Sequence, residues 1–343
     1  MLSLSGQIYR FDQVPDHFKE LFIISGYRHP KSSPQQCILS IFDATNETLN
    51  FWTHFLPTLF FIWKLRALAE VYDFTHDAYS WPLLAYMFCL CVYPLTSAIA
   101  HIFNCMSDRA RHFCFFLDYA ALSIYGLGSA IAYRAYVFPE GLIGTTFGNM
   151  YLYVAILNSI LSMMLCCETR FMDNFTKKKK ILRMGSMMMP YFFDSIPVVY
   201  RLFVCDGTEC DLRSTHLLYR QFFFAAGSAF LYSTHLPERI FPGTFDIIGH
   251  SHQLFHICSV MGTFDQMNAI LYDMVDRREF ILANDMIPSF SLSIGAMLLS
   301  LALILLLLAC FTYRLYNMPI HGVQTHGKHR EDMCSCNNNN KKD

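Results

Sequence analysis

Three stretches of the chain, Tyr79–Phe103, Thr146–Cys166 and Ser291–Tyr313, contain no Asp, Glu, Lys or Arg. Each exceeds the roughly 20 apolar residues needed to cross a bilayer core. Backbone polar groups in lipid must be satisfied within their own segment, so such stretches fold as helices. Five less pure segments complete a set of eight predicted spans: Glu47–Ala69, Phe113–Tyr133, Met187–Val204, Leu217–Leu236 and His252–Tyr272, with the last pure stretch placed in a helix over Pro288–Phe311. None has the alternating pattern of a transmembrane barrel strand. Composition agrees. Charged residues make up 15% of the 343, against about 25% in soluble domains. A net charge of −1 implies no general attraction to nucleic acid. An ordinary soluble enzyme, a disordered scaffold and a secreted disulfide protein are all excluded.

Eight spans place both termini on one side. Lys and Arg number 18 on that side and 6 on the other, with Arg201 and Arg220 inside spans. The bias predicts cytoplasmic termini. Residues 1–46 then form a cytoplasmic segment, 47–313 the eight-span domain and 314–343 a disordered cytoplasmic tail. Asp12, Asp16 and Lys19 rule out an N-terminal signal peptide, so the first helix directs insertion. The run Lys177–Lys180 with Arg170 and Arg183 reads first as a topology anchor, with a lipid-headgroup contact as the alternative. Sequons at Asn46 and Asn174 fall on the cytoplasmic side and are expected to be unused. Of 13 cysteines, Cys205 and Cys210 alone flank an outside loop where a disulfide could form, and Cys334 and Cys336 are free thiols or acylation sites.

Charged and metal-ligating side chains at membrane depth carry the functional signal, because lipid makes them expensive. His252 and His256 are spaced i, i+4 at the start of the seventh span, so both imidazoles leave one helical face. His101 closes the second span. Opposite span directions bring all three histidines to one depth, near the cytoplasmic face. Three histidines with an open fourth position form the pattern of a catalytic zinc site. Ser97 lies one turn before His101, and Asp118 enters at the same depth. Each has a plainer alternative, a helix-packing hydroxyl for Ser97 and a helix-start carboxylate for Asp118. Glu47, Asn50 and His54 share a face of the first span. They read either as capping and interfacial anchoring or as a network around the metal. Asp194, Arg220 and Asp265 lie deeper, and an Arg–Asp pair there would relieve desolvation, though spacing does not say which Asp pairs with Arg220. Tyr125, Tyr153, Phe192, Tyr200 and Phe223 are candidates for lining an apolar cavity, although aromatic residues are abundant enough that most must be packing.

These motifs resemble a known family. Thr45-Asn46-Glu47-Thr48-Leu49-Asn50-Phe51-Trp52-Thr53-His54 is similar to the first signature of the progestin and adipoQ receptor family. Ser97-x3-His101 with Leu117-Asp118-Tyr119 resembles the second, and Gly249-His250-Ser251-His252-Gln253-Leu254-Phe255-His256 the third. Gly26-Tyr27-Arg28-His29-Pro30 and His235-Leu236-Pro237-Glu238-Arg239 resemble its membrane progestin receptor branch, the gamma type in particular.

The resemblance implies a seven-helix bundle with an eighth C-terminal transmembrane helix in the plasma membrane. It also implies zinc on His101, His252 and His256, with Ser97 and Asp118 beside the metal. The expected function is progestin binding with rapid non-genomic signalling through a G protein or another cytoplasmic protein. The wider superfamily includes alkaline ceramidases, so a zinc-dependent lipid amide hydrolase acting on a sphingolipid-like substrate is the alternative. In that reading Asp118 handles a proton of water and Ser97 supports an oxyanion.

Overall fold

The computed structural model describes residues 4, 6–172, 177–204 and 212–318. Cys205, Cys210, the Asn174 sequon, Cys334, Cys336 and residues 319–343 lie outside the described residues. The described chain is helical, and its one β-bridge joins Tyr9 to Tyr27. Eight long helices are numbered here α1 (Thr48–Ala69), α2 (Trp81–Phe103), α3 (Asp108–Ala132), α4 (Thr146–Glu168), α5 (Lys177–Val204), α6 (Thr215–Thr234), α7 (Ser251–Asp276) and α8 (Ile294–Asn317). By length and composition, α2, α3, α4 and α8 can cross a membrane. The other four carry more polar side chains.

Packing follows chain order. α1 lies against α2, α2 against α3, α3 against α4 and α4 against α5, while α6 pairs with α7 and α7 returns to α1. α5 and α6 touch only narrowly, and α8 packs on the outer side of α3 and α4. Local sequence explains the ends. Ser107 and Thr145 accept the backbone N–H of Ala110 and Gly148 and so cap α3 and α4. A π-helical turn at Tyr133–Val137 ends α3, and Arg277 donates to the carbonyls of Tyr136 and Phe138 at 2.8 and 3.0 Å. Pro57, Pro94, Pro190 and Pro197 sit inside α1, α2 and α5, where each removes one backbone donor.

Two elements start well outside their predicted spans. α5 begins at Lys177, ten residues before Met187, because Lys and Arg favour helix even where they do not favour lipid. α3 begins at Asp108 because its cap, Ser107, precedes the apolar run. The cavity-lining expectation fails for three aromatics. Tyr153, Phe192 and Phe223 are 53%, 64% and 74% exposed on the outside of the bundle. There, large apolar side chains suit contact with lipid.

The segment before α1 is folded onto the end of the bundle that carries the histidines. Val14, Phe18, Ile23 and Tyr27 form a small apolar cluster with Cys37 and Cys105. The Asp246 carboxylate accepts the backbone N–H groups of Ile24 and Ser25 at 3.0 and 2.7 Å and ties the segment to the loop before α7.

Candidate metal centre

The last turn of α2 supplies His101 and the first two turns of α7 supply His252 and His256. One ring nitrogen from each lies within 4.8 Å of the others. The Nε2 atoms of His101 and His252 are 3.3 Å apart. The ring centroids of His252 and His256 are 4.5 Å apart. Zinc–nitrogen bonds of about 2.0–2.1 Å in tetrahedral array separate two ligand nitrogens by roughly 3.3–3.4 Å. The residues therefore fit a zinc ion.

Neighbours fix which nitrogens are available. Glu47 Oε2 lies 2.7 Å from His101 Nδ1. A carboxylate only accepts, so Nδ1 carries the proton and the Nε2 lone pair faces the cluster. His256 Nδ1 is 3.2 Å from the Asn50 carbonyl and 3.0 Å from the Thr53 hydroxyl. The carbonyl likewise fixes the proton on Nδ1 and leaves Nε2 of His256 free. The first turns of α1 and its N-cap residue Glu47 thus orient one histidine on α2 and one on α7.

Glu47 is held in turn. Asn104 donates to its Oε1 at 2.8 Å and Asn50 to its Oε2 at 2.8 Å. Arg28 reaches in from the N-terminal segment and donates to Asn104 Oδ1 and to the His101 carbonyl, both at 2.7 Å. It also donates to the Ile102 carbonyl at 2.6 Å, so it closes the open end of α2. Glu238 caps α7 by accepting the Ser251 N–H at 2.7 Å, and it also accepts the Ser251 hydroxyl.

The other sequence candidates fall as follows. Asp118 is buried in α3 within electrostatic reach of His101 and beside Ser97. His54 stacks on His256 at 3.7 Å with rings 14° from parallel, and neither of its buried ring nitrogens has a hydrogen-bond partner among the described residues. Arg220 is paired with Asp265 at 3.3 Å. Asp194 is not brought to Arg220, and its Oδ1 has no partner among the described residues.

Sequence reasoning missed several contributors. Arg28, Asn104, Asp246 and Glu238 lie in segments read as tail or loop. Their roles depend on long-range docking, for which spacing gives no signal. A buried ion pair between Arg201 and Asp273 was also missed. Asp273 lies just past the predicted end of its span, where spacing gives no signal of a partner for Arg201.

Comparison with known proteins shows the family. The sequence profile of the haemolysin-III-related family matches residues 42–267, which include all three histidines. The membrane progestin receptor gamma of Homo sapiens is 47% identical over 321 residues, covering 93% of this chain and 97% of that protein. The membrane progestin receptor gamma-B of Danio rerio is 46% identical over 341 residues, covering 93% and 96%. This chain belongs to the haemolysin-III-related family, in its membrane progestin receptor branch. The delta receptor of Homo sapiens is 44% identical over 325 residues, covering 93% of this chain and 94% of its own length. Membership makes the chain a membrane protein of the progestin and adipoQ receptor family.

Proposed function

We propose that the chain is a plasma-membrane receptor for a progestin steroid that signals to a G protein or another cytoplasmic protein. The observation that carries this reading is identity of 46–48% to gamma-type membrane progestin receptors across 93% of the chain. In this reading all eight long helices span the membrane, with residues 1–46 and 314–343 on the cytoplasmic side. The charge bias supports that orientation. Zinc would be held by His101, His252 and His256, close to the cytoplasmic face. When bound it would supply Lewis acidity and a brace between α2 and α7.

The bundle interior offers polar contacts to a mostly apolar ligand. Tyr93 donates to Thr263 at 3.1 Å, Tyr86 donates to Gln266 at 2.9 Å, and both Gln266 and Gln221 donate to Tyr133 at 2.6 and 2.7 Å. Gln221 Oε1 is buried with no partner among the described residues. It is an acceptor suited to a ligand hydroxyl. α5 and α6, the helix that carries Gln221, touch only narrowly, and a ligand from lipid would enter between them. Such a ligand signals only if it binds two packings of the helices unequally.

The alternative is hydrolysis of a lipid amide. In that reading Asp118, within electrostatic reach of His101, would handle the proton of water and Ser97 would support an oxyanion. A single set of assays separates the readings. Purified full chain in lipid nanodiscs is tested for saturable binding of tritiated progesterone and for ceramide cleavage, as wild type and as Asp118→Asn. The receptor reading expects saturable binding in both proteins and no cleavage. Folded wild type that binds no progestin would overturn it. Cleavage lost in Asp118→Asn would establish the hydrolase instead.

A further inference from the structure

Positive charge gathers at the histidine end of the bundle in a form that membrane orientation does not require. Arg111 begins α3, Arg170 follows the end of α4 and Arg183 lies in the second turn of α5. A residue that only sets topology extends its charge into water or headgroups. These three turn inward instead. Arg111 is 7% exposed. Its guanidinium and that of Arg170 lie over the same Phe115 ring, at 5.3 and 4.4 Å from its centre. Arg183 lies over Tyr119 at 5.8 Å. Arg170 is close enough to feel the charges of both Arg111 and Arg183, and more weakly that of the Glu20 carboxylate.

Neutralisation is incomplete. Among the described residues, the one ion pair made by these three arginines joins Arg111 to Glu20 at 2.7 Å. Arg170 Nε donates to the ring nitrogen of His112 at 3.4 Å and Arg183 Nε to the Thr169 hydroxyl at 3.0 Å, both neutral acceptors. Arg183 Nη2 is buried and has no hydrogen-bond partner among the described residues. Nearby carboxylates are engaged elsewhere, Glu168 with Arg314 and Asp108 with His17, each at 2.6 Å. Like charges drawn together out of water repel strongly, and an anion among them relieves the repulsion. Guanidinium groups offer paired donors that match phosphate oxygens. Aromatic faces hold those groups flat and limit their freedom before anything binds.

We propose that Arg111, Arg170 and Arg183 form a binding site for a phosphate-bearing anion at the headgroup level of the membrane. A phospholipid headgroup and a soluble phosphate share the required chemistry. The site is separate from the histidine cluster and does not depend on zinc or on a steroid.

The test uses purified full chain in a neutral detergent. It is titrated with dioctanoyl phosphatidic acid, dioctanoyl phosphatidylcholine and inorganic phosphate, and binding is followed by the rise in thermal unfolding midpoint. Phosphatidic acid is expected to bind and phosphatidylcholine not to. Arg170→Gln with Arg183→Gln weakens binding at least tenfold, whereas Arg239→Gln, an exposed charge at the same end, leaves it unchanged. Competition by millimolar phosphate identifies a soluble source, and its failure to compete identifies the lipid. Arg183→Lys, which keeps the charge but loses the paired donors, gives a smaller loss and guards against misfolding of the double variant. Equal binding of the two lipids by wild type overturns the proposal without any variant. So does unchanged binding in the folded double variant.

Discussion

Glu47→Gln isolates what α1 contributes to the histidine cluster. The Glu47 carboxylate accepts from three donors, His101 Nδ1 at 2.7 Å, Asn50 Nδ2 at 2.8 Å and Asn104 Nδ2 at 2.8 Å. Glutamine matches its shape but has a single acceptor oxygen. If that oxygen stays toward His101 and Asn50, the new NH2 faces the Asn104 NH2, and two donors meet. The reverse orientation strands His101 Nδ1 and favours moving its proton to Nε2, the nitrogen that faces the cluster. A stranded buried donor costs about 1–3 kcal/mol. Loss of a metal ligand's supporting partner typically weakens binding by roughly 10–100-fold. Glu47→Gln is therefore expected to weaken zinc binding by about 10–100-fold, or about 1.4–2.8 kcal/mol. Competition against a calibrated chelator reads this directly, with the unfolding midpoint followed alongside. A folded Glu47→Gln protein whose zinc affinity stays within about threefold of wild type would refute the reasoning.

Two further outcomes follow from the packing. Asp273→Asn leaves Arg201 buried without its counter-charge, both side chains being 1% exposed. It should destabilise the bundle by about 3–5 kcal/mol, read by chemical unfolding in bicelles. A loss below about 1 kcal/mol would mean that water reaches this pair. Glu238→Ala removes the acceptor for the Ser251 N–H and frays the turn that presents His252. A loss of about 1 kcal/mol in stability is expected, together with weaker zinc binding, and chelator competition on the folded protein measures the second effect.

The sequence was most legible where physics leaves the fewest choices. Lipid demands long apolar helices, so α2, α4 and α8 could be read from charge-free runs alone. The i, i+4 pair His252 and His256 fixed a shared face, and opposite span directions set His101 at the same depth. The structure brings those three together. It also places Glu47, Asn50 and His54 against them, where the sequence had left capping as an equal alternative. What could not be read depends on contacts between distant segments. Arg28 touches the His101 carbonyl across 73 residues of chain. Its segment resembles the receptor branch, but spacing along the chain does not show that its guanidinium docks on the end of α2. Asp265 and not Asp194 meets Arg220, a choice set by the pairing of α6 with α7. α5 begins at Lys177, before the span at Met187, because hydropathy marks where lipid is and not where the helix begins. Phe192 and Phe223 were misread for a related reason, since aromatic residues serve a cavity and a lipid-facing surface equally well.

The account centres on zinc held by three histidines. Its most direct test is the metal content of purified full chain, measured by inductively coupled plasma mass spectrometry for wild type and for His252→Ala with His256→Ala. Circular dichroism confirms that each sample is folded. The account predicts about one zinc ion per wild-type chain and almost none in the double variant. Folded wild type without zinc, or a double variant that retains it, would contradict the assignment.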